Sequence, residues 1–350
     1  MTADRRVVIV GAGMAGLTAA AYLARENHSV LLLDKNDRSG GLVNTFDRDG
    51  FSFDAGPRAF VNSGIVKPIL KDLGICWDYL ENKISIGVEN LLVRVESMDT
   101  LREYKRLLAN LYPESLGEIE EITSVIGKLS EHTKVLYQFD NPNFVDLANN
   151  KRFVFRNLVP WTLKFLNALR KFNQFSMPME EYLGRLSDNQ SLIDILTQHF
   201  FRKTPTYFAL GYFYVYLDYF YPKGGTGALV DLLKEKVLGW GGEIRLNRQV
   251  VEVNPSASIV TDSEGCNYSY DHLIWAADLK TLYQKLNPAG LSPATIKEIE
   301  TRAQSILLSK EAESVFILFI AVDRPPSYFQ TRGGEHLFYT PSRQGLGGTN

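Results

Sequence analysis

The chain has 350 residues, 45% of them apolar and 22% charged, with a formal net charge of −2. This length suits two domains with a sizeable core, and the composition is that of a soluble globular protein. The balanced charge argues against a nucleic-acid partner. No run of eighteen apolar residues offers a membrane span, and Cys76 and Cys266 stand far apart in no paired motif, as expected of reduced, buried thiols in a cytoplasmic protein.

A polar stub, Thr2 to Arg6, leads into Val7-Val8-Ile9-Val10. This run is too short for a signal peptide and reads as a buried parallel strand. Gly11 to Gly16 form a turn, Met14 to Arg25 a helix, and Ser29 to Leu33 a second buried strand ending on Asp34. Val43 to Phe46 and Phe51 to Phe53 flank Arg48-Asp49-Gly50 as a hairpin. Residues 63–73 read as a helix, and Lys83 to Gly87 with Leu91 to Glu96 as a second hairpin. From Asp99 to about Leu217 the apolar spacing is mostly helical, as at Ile119, Ile122, Ile126 and Leu129. Tyr221 to Gly227 form a loop that opens a helix from Ala228 to Leu238, closed by Trp240-Gly241-Gly242. Strands follow at Glu243 to Leu246, Gln249 to Val253, Ile259 to Thr261, Tyr268 to Tyr270 and His272 to Ala276. Pro293 to Ser305 read as a helix and Ser314 to Val322 as a buried strand.

The implied class is α/β. A Rossmann-like domain with a parallel sheet is assembled from residues 1–75 and 220–282. A second domain of mixed sheet and helices takes 76–219 and 283–350, with a helical insertion over about 99–217.

Gly11-Ala12-Gly13-Met14-Ala15-Gly16 fits G-x-G-x-x-G, follows a strand, opens a helix, and has Asp34 eighteen residues after Gly16. Gly11 permits the tight turn, Gly13 a close approach of backbone to a pyrophosphate, and Gly16 close packing of helix on strand. Free N–H groups and the helix dipole favour phosphate charge. Asp34 can accept bonds from two ribose hydroxyls, which disfavours a 2′-phosphate. The competing reading is a glycine-rich turn with no ligand. Six residues after Asp34 comes Gly40-Gly41. An NAD domain has no need of that pair, whereas the longer FAD needs a second backbone approach. FAD is therefore the expected cofactor.

With Asp54-Ala55-Gly56-Pro57 added, this run resembles the flavin-containing amine oxidase and phytoene desaturase superfamily, in which it follows FAD from adenosine towards the ring. Leu42 stands where the family often has Arg, which keeps a backbone contact but no charged one. Arg58 stands where Thr or Ser is usual, and reads equally as a neighbour of the flavin edge or phosphate and as a surface arginine. Tyr221-Pro222-Lys223-Gly224-Gly225-Thr226-Gly227 resembles a segment of carotenoid desaturases and isomerases, and Gly241 to Val250 follow at the family's spacing. The resemblance covers roughly residues 5–75 and 219–340. It implies that the backbone of Val250 meets the adenine, that the strand ending at Ala277-Asp278 returns beside the cofactor, and that Ser314 to Phe319 lie under the substrate cavity. The implied cofactor-binding set is Gly11, Ala12, Gly13, Met14, Ala15, Gly16, Asp34, Lys35, Gly40, Gly41, Leu42, Gly56, Pro57, Arg58, Val250 and Ala277.

The activity implied is that of an FAD-dependent oxidoreductase that desaturates, saturates or isomerises a C–C bond of an isoprenoid or polyene, with hydride transfer involving flavin. An amine- or protoporphyrinogen-oxidase-like flavoenzyme and a non-catalytic flavin-binding paralogue remain open. Hydride transfer from an unactivated C–H depends on position more than on a side-chain base, and no catalytic residue stands out. The five histidines, His28, His132, His199, His272 and His336, lack metal-ligand spacing.

Two segments bear on an apolar substrate. Tyr207 to Tyr221 hold nine aromatic residues in fifteen, which read equally as the wall of a polyene tunnel or as an aromatic core. Lys151 to Phe175 carry six cations, with Leu158, Trp161, Phe165, Leu169 and Phe172 on one helical face. That pattern suits either an ordinary packed helix or peripheral contact with a membrane interface. Arg343 to Asn350 do not read as an element that closes a domain. The family's last segment, a strand, glycine turn and helix N-terminus at the flavin, finds no match here. A truncated chain with an incomplete ribityl and ring end of the FAD site is the expectation.

Overall fold

A computed structural model describes residues 5–61, 64–137, 149–310 and 314–345. The chain forms two compact units. The first comprises Met1–Arg58, Leu73–Asp78 and Pro222–Ile320; the second comprises Ala59–Asp72, Tyr79–Tyr221 and Ala321–Asn350. Residues 283–320, expected with the second domain, thus lie in the first unit, and Ala59–Asp72 lie in the second.

The first unit is organised by a four-stranded, all-parallel sheet in the order Glu243–Arg245, Ser29–Leu33, Arg6–Val10, His272–Trp275. Neighbouring strands thus come from distant parts of the chain. Val7 to Val10 are buried because side chains alternate between faces and both faces are covered. Val8, Val10 and Leu33 pack with Val250, Val253, Val260 and Tyr268 of an antiparallel sheet made by Val250–Asn254, Ile259–Asp262 and Asn267–Ser269. Helix Met14–Arg25 packs against Gly227–Gly239 and against the parallel strands. The hairpin Thr45–Arg48 and Phe51–Asp54 turns at Asp49 and Gly50, with φ of 52° and 81°. Two positive φ angles match the right-handed twist of the paired strands.

The second unit has a mixed sheet in the order His336–Thr340, Ile84–Val88, Leu91–Val95; the first pair is parallel and the second antiparallel. All five residues of the central strand are buried. A small sheet joins Phe60–Val61, Tyr219–Pro222 and Tyr79–Glu81. Helices Thr100–Leu111, Leu116–Tyr137, Val159–Asn173, Gln190–Thr197 and Thr206–Val215 supply most of the core, through residues such as Leu108, Ile122, Leu129, Leu192 and Phe213.

Three expectations need correction. Ser314 to Val322 are not a buried strand: they pair with nothing among the described residues, and Phe316 is 89% exposed. An apolar run becomes a strand only when a neighbour completes its ladder. Cys76 and Cys266 are free but exposed, not buried. The helix over 63–73 spans Val66–Asp72, and residue 63 lies outside the described residues. The tail from 346 and the stub residues 2–4 also lie outside them.

Candidate cofactor site

The glycine turn divides into positions fixed by packing and one left open. Gly11 has φ of 106°, and its N–H donates to the Leu33 carbonyl at 2.8 Å. A Cβ there would lie 2.7 Å from the Ala276 carbonyl and 3.0 Å from the Ala277 nitrogen. The turn is therefore pressed against the end of the neighbouring strand. A Cβ on Gly16 would lie 1.8 Å from the Gly11 carbonyl oxygen, so the helix reaches the turn itself and not only the strand. Gly13 is different. Its φ of −72° and ψ of 179° suit any residue, and a Cβ there would meet nothing within 4 Å. It sits at the N-cap of the twelve-residue helix Met14–Arg25 with no side-chain cap, and Ala15 beside it is exposed. The first-turn amides therefore have no capping side chain.

The second glycine pair lies directly against this turn. The Gly40 N–H donates to the Ala12 carbonyl at 2.7 Å, Gly13 and Gly40 form a parallel bridge, and a Cβ on Gly41 would lie 3.3 Å from the Gly13 Cα. Gly40 is buried and Gly41 exposed, with φ of 111° and 61°. Leu42 turns its side chain to solvent at 82% exposure, while its backbone carbonyl lies 2.1 Å from where a Gly56 Cβ would be. The Gly56 segment is thereby joined to the glycine pair through backbone alone.

Asp34 is 8% exposed. One carboxylate oxygen accepts the Ala12 N–H at 2.7 Å and the other the Asn36 N–H at 2.8 Å. A carboxylate has about four acceptor positions, so both oxygens keep capacity for further donors. The Arg248 N–H donates to the Asp34 carbonyl at 2.7 Å and ties the Val250 strand to this end of the sheet. Val250 itself is 5% exposed and packs in the core, so only its backbone is available to a ligand. Lys35 and Pro57 are exposed. The Arg58 guanidinium lies 6.0 Å from the Phe319 ring centroid. Gly11 to Gly16, Asp34, Gly40, Gly41, Leu42, Gly56 and Ala277 thus come together around one helix N-terminus. Lys35, Pro57, Arg58 and Val250 lie on the segments that adjoin it.

A supporting knot escaped the sequence reading. One Asp54 carboxylate oxygen accepts from the Thr45 hydroxyl at 2.8 Å, the Thr226 N–H at 2.9 Å and the Thr226 hydroxyl at 3.0 Å. The Thr45 oxygen in turn accepts the Gly227 N–H at 2.9 Å. A Cβ on Gly225 would lie 2.5 Å from the Thr45 hydroxyl oxygen. Gly225 and Gly227 therefore serve packing of that loop on the hairpin that precedes Gly56, whereas a Cβ on Gly224 would meet nothing within 4 Å. The clue in the sequence was a cluster of small and hydroxyl residues, Gly-Gly-Thr-Gly, with no local turn to explain all of it.

These residues fit a dinucleotide. The space over Gly13 would be filled by any Cβ, the facing residue is another glycine, and the buried carboxylate at the end of the second parallel strand retains acceptor capacity.

In the second unit part of the aromatic run behaves as a core, while Phe208 is 45% exposed. Phe213, Tyr216 and Phe220 are buried, and the Tyr212 and Tyr219 hydroxyls bond each other at 2.7 Å. Burial, and then the neighbouring Tyr212, push the Tyr219 hydroxyl far above the ordinary tyrosine range. Burial pulls the His199 imidazole down to about 4. The cavity bordered by Tyr104, His199, Phe213 and Tyr216 has about 30 Å³, which is room for a water rather than a polyene.

Known proteins resemble this chain in sequence and in fold. A 4,4'-diapolycopene oxygenase of Methylomonas sp is 27% identical over 71% of this chain and 50% of its own length. A 1-hydroxycarotenoid 3,4-desaturase of Flavobacterium sp. (strain P99-3) is 24% identical over 81% of this chain and 58% of its own. The chain therefore spans 50–58% of the length of these two curated relatives. Among solved structures, a CLA-producing fatty acid isomerase from P. acnes shares the fold, with a TM-score of 0.51 at 15% identity over 86% of this chain and 64% of its own. The sequence relatives agree with the phytoene desaturase-like resemblance. Residues 14–345 match the flavin containing amine oxidoreductase family, and the chain belongs to it.

Proposed function

We propose that this chain binds FAD and that the protein is an oxidoreductase acting on C–C bonds of an isoprenoid or polyene. The observation that carries the cofactor reading is the open space over Gly13, faced by Gly41 at a helix N-terminus. A pyrophosphate there would meet backbone N–H groups and the positive end of the helix dipole. The free acceptor positions of Asp34 suit the ribose hydroxyls, and the backbone near Val250 suits the adenine. FAD is preferred to NAD because the Gly40-Gly41 pair extends the glycine surface beyond the first turn. A bound flavin supplies two-electron redox chemistry that no side chain provides. The chain's part is to hold it through backbone contacts, so that no side chain competes for the space.

The substrate class follows from relatives named for a diapolycopene and a hydroxycarotenoid. Expressing the protein in a bacterium that accumulates acyclic polyenes and resolving the pigments chromatographically tests this reading. A changed number or geometry of conjugated double bonds, dependent on Gly13, is the expected result. Unchanged pigments alongside oxidation of amines by the flavin-loaded protein would overturn it.

A further inference from the structure

Arg248 links two parts of the first unit, one through its backbone and one through its side chain. Its backbone belongs to a seam along the strand end that carries Asp34. The Asp34 N–H donates to the Arg245 carbonyl at 3.0 Å, the Asn247 N–H to the Asn36 carbonyl at 2.9 Å, and the Arg248 N–H to the Asp34 carbonyl at 2.7 Å. Its side chain reaches the turn between strands Ile259–Asp262 and Asn267–Ser269. There the guanidinium pairs with Glu264 and, at 3.5 Å, with Asp262.

The Asp262 side chain is fully buried. One carboxylate oxygen accepts the Glu264 and Cys266 N–H groups, both at 2.9 Å, and the other accepts the Tyr268 hydroxyl at 2.7 Å. Burial alone would raise the pKa of this group. The Tyr268 hydroxyl, the two N–H groups and Arg248 outweigh it and hold the carboxyl below the ordinary range. The difference between the two acids decides what the knot can do. Glu264 is 57% exposed, and a pair with it alone would contribute little. Asp262 is already held by three donors, so it gives the guanidinium a rigid charged partner at little further cost in ordering.

Asp262 also stands opposite Val250 in the antiparallel register. The Asp262 N–H donates to the Cys266 carbonyl at 3.0 Å, and the Ser263 N–H to the Gln249 carbonyl at 2.8 Å. Val250 and Asp262 are therefore a pair without mutual hydrogen bonds, and the N–H and C=O of Val250 turn away from the strand beside it. They turn to the edge of the sheet, because Val250–Asn254 is its outermost strand. The register shifts between Val250 and Glu252, so the regular ladder further along does not fix the direction of Val250. The link at Arg248, two residues earlier, does.

We infer that Arg248 is a positioning residue for the adenosine half of the dinucleotide: held by Asp262 and Glu264, it fixes the distance between the Asp34 carboxylate and the Val250 backbone groups. The inference rests on the dinucleotide reading of this site. A ribose and its adenine are joined by one bond, so both ends are met together only if that distance is fixed.

The test is calorimetric titration of the whole protein with ADP and with GDP, together with amide hydrogen exchange over residues 246–253 without ligand. Wild type should prefer ADP. Arg248→Met should weaken ADP binding about tenfold and leave GDP binding nearly unchanged, so that the preference collapses, and exchange over residues 246–253 should quicken. Arg248→Lys, which keeps a cation for Asp262, should restore most of the preference. If Arg248→Met does not fold, Glu264→Gln at its exposed site decides, with a smaller loss of ADP preference expected. Unchanged ADP binding in the deciding variant overturns the inference. Equal losses for ADP and GDP assign Arg248 to stability alone and equally overturn it, as does a wild-type protein that binds the two nucleotides alike. Wild-type protein that binds neither nucleotide overturns the dinucleotide reading itself, and this inference with it.

Discussion

Replacing Gly13 and Gly16 separately by alanine distinguishes a ligand cradle from a packing contact. At Gly13 the backbone is extended and a methyl group meets nothing within 4 Å. The loss of glycine as N-cap costs a few tenths to about 1 kcal/mol, and the stiffer unfolded chain returns about 0.4–1 kcal/mol. The folded protein should therefore be nearly unchanged in stability. At Gly16 a methyl group would lie 1.8 Å from the Gly11 carbonyl oxygen. Neither backbone can yield without breaking the turn, so the cost is on the order of 3 kcal/mol or more. Urea unfolding measured without added flavin reads these costs. Titration with FAD, or with ADP as its adenosine half, reads binding. Gly13→Ala should unfold like wild type within about 1 kcal/mol yet bind both ligands at least tenfold more weakly. Gly16→Ala should lose stability first. A Gly13→Ala protein that binds FAD normally would show the cradle assignment wrong, because a pyrophosphate in the open space over residue 13 could not tolerate the methyl group.

Asp34→Ala removes the acceptor for the Ala12 and Asn36 N–H groups, and should cost roughly 2–4 kcal/mol in urea unfolding as well as weakening ADP binding. Asp54→Ala breaks three hydrogen bonds to Thr45 and Thr226. It should cost roughly 2–3 kcal/mol, and the exchange rate of the Thr226 amide proton should rise with it. His199 gives a pH dependence of defined sign. Burial lowers its pKa from 6.5 to about 4, so the unfolded chain takes up the proton first and stability falls as pH drops from the unfolded value towards the folded one. The penalty is about 2 kcal/mol at pH 5 and near zero at pH 7. His199→Phe should flatten that part of the profile, measured as urea midpoints at the two pH values; an unchanged slope would contradict the assigned burial.

The first strand, turn and helix were legible because a buried apolar run, three glycines and a carboxylate at fixed spacing leave few alternatives. The glycine pattern already gave Gly11, Gly13 and Gly16 separate roles; what it did not supply was the atoms that each of them meets or leaves free. Those contacts depend on where each absent Cβ would point and on Ala276, which a distant segment brings beside the turn. Asp54 was quoted only as part of a family run, because its partner Thr226 lies 172 residues away. His336–Thr340 went unread as a strand for the same reason: it lies parallel to Ile84–Val88, a pairing made wholly by tertiary structure. Ser314 to Val322 show the reverse error. Their composition is that of a buried strand, but composition does not supply a neighbour. The basic segment from Lys151 to Phe175 shows a third kind of ambiguity. Phe172 is buried while Phe155 and Leu163 are exposed, and one helix with two apolar stripes satisfies the same periodicity whichever stripe is turned inward.

The cofactor assignment is decided by the identity and amount of flavin released when the purified protein, loaded and then freed of unbound ligand, is denatured. The expected release is FAD, close to one per chain in wild type and strongly reduced in Gly13→Ala at unchanged stability. A wild-type protein that releases no flavin and binds NADH in its place would contradict the assignment.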